Sequence, residues 1–502
     1  MPKQDILVFF SDQHTGRCAG FAGDKIARTP NLDRIAANGT VFDAAYTSCP
    51  LCVPARMSML TGQLPSQTGI FNNDQSIPGD QATWLHSLGA AGYETVLCGR
   101  MHFNGFDQRH GFTKRIFGET TTLFPGDPAA SNVYEPYHFT RADFGCLQII
   151  GGGNSPTLEY DRQVTGAALE YLHHQVHDKP QCIVVGGYAP HFPYVAPTEL
   201  YQYYLEKVAY PITLSQGCNY AHPVFNGRLM DTAPETVLKA RAAYWGMVEF
   251  MDQNIGLVYD AWQAYLRRNG REGIFIYLSD HGDQLGERGL YGKKTFFETS
   301  AQIPLIFTGT GIQKGMRVQS PVSIMDLGPT LCGLTNAVPP PEQAGKNLVP
   351  LLETGKQQNG RPVWSEYIET GPDGANVPCR MVRKERWKYI TYYDYDADDL
   401  LFDVVADPNE LENLTAKYPE KAEEMRRLVY QDWDPVQIAM MDAVRTRHLQ
   451  LQKEWLQNVV LSYDEFWEPT PEALAYPKDY YASPRIPPQL KKCMDAEKGS
   501  GV

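Results

Sequence analysis

The residues of this 502-residue chain that could do chemistry stand just after apolar runs. ILVFFS leads into Asp12-Gln13, TVLC into Gly99-Arg100 and then His102, CIVVGGY towards His191, and GIFIYLS into Asp280-His281. Asp12, Gln13, Asp280 and His281 offer two carboxylates, one amide oxygen and one imidazole. That hard, oxygen-rich set suits Ca2+, Mn2+ or Mg2+ better than zinc. An aspartate after a strand also caps turns, but two such pairs at equivalent strand ends favour a metal. A second stretch, SCPLCVPAR, sets Cys49 and Cys52 two residues apart. A redox pair normally opens a helix after a strand, and a zinc site needs a further ligand pair that does not follow. Pro54 suits a first helical turn. Cys52 would then lie at the positive end of a helix, with Arg56 one turn on.

The elements that must hold these groups follow from periodicity. Ile6–Phe10, Thr95–Cys98, Cys182–Val185, Gly273–Leu278 and Pro304–Thr308 are short apolar runs that read as strands. Between them, helical spacing covers Asn31–Asn38, Gln81–Ala91, Asp161–His174 and Pro234–Arg268. Alternation of this kind predicts an α/β fold with a large, mainly parallel sheet between helices. In such a sheet ligands bind beyond the carboxyl ends of strands, so the dispersed polar residues are expected along one edge. After about residue 360 the pattern changes to PVWSEYI, CRMVRKE, RWKYITYY and DDLLFDV, four short strands in quick succession, then a polar helix at Ala416–Tyr430. We therefore divide the chain into a catalytic domain, 1–360, and a smaller C-terminal α+β part, 361–502, with an antiparallel sheet. VPPPEQ (338–343) reads as a connector, and the Pro-, Tyr- and Lys-rich tail from about 465 as a wrap or a contact to a second subunit in a homo-oligomer.

The net charge of −13 argues against a general nucleic-acid binder. Ile6 to Phe10 is too short for a signal sequence, and no run is long enough to span a membrane. Ten scattered cysteines without a framework point to reduced thiols and a cytoplasmic location.

Residues 52–62, CVPARMSMLTG, resemble the signature of the sulfatase family, within the alkaline phosphatase superfamily. Three further blocks strengthen the resemblance: GYETVLCGRMH (92–102), with Arg100 where lysine is usual; LSDHGDQLGERGLYGKK, which ends in Lys293-Lys294; and Pro190-His191-Phe192-Pro193-Tyr194. The blocks span most of residues 5–310 in order. GRMHFNGFDQRHGF (99–112) and Gln13 are most similar to choline-sulfatase and phosphonate-monoester-hydrolase members.

The resemblance implies that Cys52 is converted to formylglycine by a maturation enzyme. One hydroxyl of the aldehyde hydrate attacks sulfur and the alcohol leaves. Deprotonating the other then expels sulfate and restores the aldehyde. It further implies metal ligation, most simply of Ca2+, by Asp12, Gln13, Asp280, His281 and residue 52. Arg56 would hold the diol, and Arg100 and Lys293 would face the nonbridging oxygens. His191 or Lys293 would protonate the leaving oxygen, His102 would assist the second deprotonation, and Asn73 would bind sulfate. The implied activity is hydrolysis of a small sulfate monoester, with phosphonate monoester or phosphodiester hydrolysis as the alternative on the same scaffold. A thiol-redox role for Cys49 and Cys52 would leave the cationic and metal-like blocks without a purpose. The aromatic-rich segments Phe103–Phe139 and Phe192–Tyr220 are expected to line the entrance.

Overall fold

The computed structural model describes residues 4–105, 107–119, 144–174, 178–355, 357 and 360–458. The expected tail and most of segment 103–139 lie outside the described residues. Chain contacts divide the molecule into two compact units, Met1–Lys453 and Glu454–Val502. Of the second, only the end of the helix Pro435–Asn458 is described.

The centre of the first unit is an eight-stranded sheet. In chain order the strands are β1 (Asp5–Asp12), β2 (Gly39–Phe42), β3 (Glu94–Gly99), β4 (Lys114–Phe117), β5 (Gln181–Pro190), β6 (Gly273–Ser279), β7 (Leu305–Gly309) and β8 (Met316–Val318). In space they run β8-β2-β7-β6-β1-β5-β3-β4. All neighbours are parallel except β7, which is antiparallel to both β2 and β6. β1 shows why the sheet is covered on both faces. Ile6, Val8 and Phe10 join a core with Val53, Met57, Leu60, Trp84 and Leu331. Leu7 and Phe9 join another with Ile35, Val164, Met251, Val258 and Trp262. The two-residue alternation of a strand sends successive side chains to opposite faces, and both faces carry helices.

The helices form near the expected places. Pro30–Ala37 and Pro234–Asn269 shift by a residue at most, while Pro156–His174 starts earlier than expected. Trp84–Ala90 starts later because Thr83, in extended conformation, takes the N-cap position. The C-terminal sheet is an antiparallel meander of β9 (Pro362–Thr370), β10 (Asn376–Lys384), β11 (Trp387–Tyr392) and β12 (Leu400–Asp403), followed by the helix Pro419–Tyr430. It shares one apolar cluster, including Cys49, Leu51, Phe296, Phe297, Tyr367 and Tyr392, with the loops around the site. No described helix is long and apolar enough to cross a membrane.

Candidate active site

Four adjacent parallel strands, β6, β1, β5 and β3, end together and deliver Asp280-His281, Asp12-Gln13, His191, and Arg100 with His102 to one edge. The helix Cys52–Thr61 meets that edge by its N-terminus. Leu51 is extended, Cys52 is the first helical residue, Pro54 lies in the first turn, and Gly62 closes the helix at φ 73°. A side chain at Gly62 would collide with Gln343. Every residue of this helix is buried, Arg56 included.

The geometry is dense. Arg56 Nη2 lies 3.0 Å from Asp12 Oδ2, and its Nε lies 2.9 Å from Asp280 Oδ2. Arg100 Nε lies 2.8 Å from the same Asp12 oxygen. The outer carboxylate oxygens are thus taken by guanidinium groups, and the Oδ1 atoms turn inward. Asp280 Oδ1 accepts the Gln13 and His281 N–H groups at 3.0 and 2.9 Å. Asp12 Oδ1 is 3.7 Å from Cys52 Sγ and 3.9 Å from His281 Nε2. His281 Nδ1–H donates to the Gly282 carbonyl at 3.0 Å, which aims the Nε2 lone pair at Cys52 Sγ, 3.2 Å away. Donor atoms of Asp12, Cys52, Asp280 and His281 all lie within 4.8 Å of one another. Buried lone pairs facing each other in this way fit a divalent cation.

Lys293 completes the cluster from the other side. Its Nζ lies 3.1 Å from Cys52 Sγ, 2.9 Å from Gln13 Oε1 and 2.6 Å from His191 Nε2. His191 Nδ1–H donates to the Phe192 carbonyl at 2.6 Å, which leaves Nε2 to accept from lysine. Gln13 sits at φ 68°, and its amide hydrogens point to Asp283 Oδ2 at 2.5 Å, which Tyr194 OH also reaches at 2.8 Å. The acceptor-only carboxylate therefore fixes which end of the Gln13 amide faces the site.

Electrostatics follow from this arrangement. Burial works to raise the Asp12 carboxyl, but Arg100 and Arg56 hold it well below the usual carboxylate range. Burial and Asp12 work to raise the Cys52 thiol, yet Lys293 and His281 bring it below its ordinary value. Burial disfavours charge on His281, and Asp280 and Cys52 reverse this and raise its pKa. Burial, then Arg100 and Arg56, push His102 well down; burial, then Lys293, do the same to His191. Burial also drives the Cys49 thiol well up, where it packs among apolar groups.

Of the residues singled out in the sequence, Asp12, Gln13, Cys52, Arg56, Arg100, His191, Asp280, His281 and Lys293 meet directly. His102 joins through Arg100, whose Nη2 donates to its Nδ1 at 2.7 Å. Asn73 stands at the helix start, where its Oδ1 accepts the Val53 N–H at 3.0 Å. Sequence reasoning quoted Tyr194 only as part of a motif, without a role, and singled out neither Asp283 nor Glu119. Glu119 Oε2 accepts the Met101 and His102 N–H groups at 3.0 and 2.7 Å. Asp283 stands within DHGDQ, three residues after Asp280, which was a usable signal. Glu119 had no local signal.

The cluster gathers a buried thiol at a helix start, the cationic groups Arg56, Arg100 and Lys293, and inward lone pairs that fit a divalent cation. Family comparison agrees: the Sulfatase model matches residues 4–337, and the model for the C-terminal part of N-sulphoglucosamine sulphohydrolase matches 286–432. The chain belongs to the sulfatase family, and it is an enzyme of that sulfate-ester-hydrolysing kind. It is 32% identical to choline-sulfatase of Rhizobium meliloti (strain 1021), covering 82% of each chain. It is 25% identical to arylsulfatase K of Danio rerio, covering 92% of this chain and 90% of that one. In fold it is similar to BT4656, solved in complex with its substrate D-glucosamine-2-N,6-O-disulfate (TM-score 0.69, 22% identity, 86% of this chain and 99% of that one). It is also similar in fold to the phosphonate monoester hydrolase of Agrobacterium radiobacter (TM-score 0.67, 20% identity, 92% and 99%).

Proposed function

We propose that this enzyme cleaves a small sulfate monoester to an alcohol and inorganic sulfate, with Cys52 matured to formylglycine and one divalent cation, Ca2+ ahead of Mn2+ or Mg2+. The observation that carries this reading is the convergence of Lys293, His281 and Asp12 on Cys52 Sγ at a buried helix start. Asp12, Gln13, Asp280, His281 and residue 52 would hold the cation, which together with the hydrated aldehyde supplies a hydroxyl nucleophile of lowered pKa.

The chain's own groups do the rest. Arg56 bridges both carboxylates and fixes their inward oxygens. Lys293 and Arg100 set positive charge where the nonbridging oxygens gain negative charge. Lys293 and His191, 2.6 Å apart, share a proton that can pass to the leaving oxygen. Arg100 has no acceptor, so its bond to His102 Nδ1 leaves the neutral imidazole with its hydrogen on Nε2. His102 then presents a donor, and acting as base there requires that bond to open. Asn73, already capping the helix start, is a candidate sulfate contact beside residue 52. The ten scattered cysteines of the sequence support a reducing, cytoplasmic setting.

The test has two arms. Mass spectrometry of the Cys52 peptide from the native host should show the sulfur replaced by a carbonyl oxygen; full retention of sulfur there overturns the mechanism. Sulfate release should be seen with at least one of choline, aryl, steroid and sugar sulfates. Gln13, rather than a third carboxylate beside Asp12 and Asp280, keeps a negative charge off the cation site, which favours testing phosphonate monoesters and phosphodiesters beside them. Turnover of these alone would replace the sulfatase reading.

A further inference from the structure

Lys293 makes three contacts through one nitrogen at the end of four rotatable bonds, so its reach depends on where its backbone is held. That backbone is gripped from outside the site. Arg228 Nη2 donates to the Lys293 carbonyl at 2.6 Å, and Arg228 Nη1 donates to the Lys294 carbonyl at 2.8 Å. The fork is anchored by Glu369 on β9, which pairs with the same Nη1 through Oε2. Through Oε1, Glu369 lies 3.5 Å from Lys294 Nζ. Lys294 has φ 65°, a left-handed conformation that costs a non-glycine residue about 1 kcal/mol or more and needs its surroundings to hold it. The Lys294 N–H donates to the Pro50 carbonyl at 2.9 Å, and on the same strand the Glu366 N–H donates to the Ser48 carbonyl at 2.8 Å. One strand of the C-terminal sheet therefore braces both the loop before Cys52 and the loop of Lys293.

We propose that Arg228, locked by Glu369, is a positioning residue that sets the reach of the Lys293 ammonium to the reacting group at position 52. It acts through geometry: the planar fork spans two successive carbonyls, which a lysine in its place cannot do. This rests on the sulfatase reading only for the role of Lys293. Misplacing a catalytic group by about 1 Å costs roughly 100-fold, and the loss should fall on kcat more than on KM.

The experiment is a double-mutant cycle on the full-length matured enzyme, with phenyl sulfate as the poor leaving group and para-nitrophenyl sulfate as the activated one. R228K should lower kcat on phenyl sulfate roughly 10- to 100-fold, with less loss on the activated ester. On the activated ester, read in both backgrounds, R228K should lower kcat several-fold beside Lys293 and less than about 2-fold in a K293A background. Equal losses in both backgrounds, or full activity of R228K, overturn the proposal. E369Q, which keeps the shape and loosens the anchor, should give a smaller loss with the same dependence on Lys293. If R228K does not fold, E369Q decides: no loss, or the same loss without Lys293, overturns it. Full activity of K293A on phenyl sulfate would instead sink the role assigned to Lys293, a separate failure.

Discussion

Two buried ionic clusters are each centred on a lysine ammonium, and they end differently. In the first, at the sheet edge, the Lys293 ammonium meets an amide oxygen, a sulfur and an imidazole nitrogen. In the second, under the C-terminal sheet, the Lys388 ammonium meets Glu298 Oε1 at 2.8 Å, the Phe296 carbonyl at 2.7 Å and a Glu410 carboxylate oxygen. Glu298 also reaches Tyr46 OH at 3.2 Å and lies 3.7 Å from Arg17, and Arg383 donates to Tyr46 OH at 3.0 Å. The second cluster pairs its central cation with carboxylates and closes on itself. The first pairs its carboxylates with Arg56 and Arg100, and leaves inward lone pairs on one side and, on the other, an ammonium that pairs with no carboxylate among the described residues. A closed cluster holds the fold. An open one is the arrangement that the proposed cation and sulfate would need.

The same substitution in both clusters gives the largest test of that contrast. Lys388→Met takes the central cation from two buried carboxylates, and urea unfolding should show a loss of about 3–5 kcal/mol. Adding Glu298→Gln should recover part of it. Lys293→Met strands no carboxylate, so its stability should change by less than about 1 kcal/mol while kcat/KM falls roughly 100- to 10,000-fold. Equal destabilisation by the two would break the comparison.

The difference also explains what was legible in the sequence. Asp12, Arg100, His191 and Asp280 each follow an apolar strand, so one topological rule collects them at one edge, and the sheet order β6-β1-β5-β3 shows it doing so. Cys52 and Arg56 were legible through Pro54 and Gly62, which mark the ends of a helix. Arg228, Glu369, Lys388, Glu298 and Glu410 were not. Each lies in ordinary local sequence, and its meaning comes from a partner that only tertiary packing supplies. Two fold features escaped for a similar reason. The direction of β7 is not written in its apolar run. The helix Pro435–Asn458 carries apolar residues on two faces, Val436, Met440, Val444 and Leu451 on an exposed one and Ile438 on a buried one, so no single apolar stripe marks it as packed.

A divalent cation sharpens the contrast at a smaller scale. At about 100 times its dissociation constant, Ca2+ should raise unfolding free energy by about 2.7 kcal/mol, and chelation should reverse the gain. Glu298→Gln, in the closed cluster, should keep this response. Asp280→Asn, in the open one, should lose most of it. A response that survives Asp280→Asn places the cation elsewhere.

The smallest effect is one of pH, on the closed side. His222 packs against Phe225, Tyr392 and Tyr395, and burial holds its imidazole down to about 4 from an ordinary 6.5. Its Nδ1 accepts the Val224 N–H at 3.3 Å, so protonation would also cost that bond. The unfolded chain takes up the proton first as pH falls. The contribution of His222 is therefore whole above pH 6.5 and is lost progressively towards pH 4. At pH 5 that loss is about 2 kcal/mol. His222→Gln keeps an acceptor for Val224 without a titrating ring. Its stability should decline less steeply than wild type between pH 6.5 and 5, by about one proton in the slope. Identical slopes in urea titrations across that range would mean that His222 takes up its proton in the fold as readily as in the unfolded chain, and that the closed side has an opening of its own.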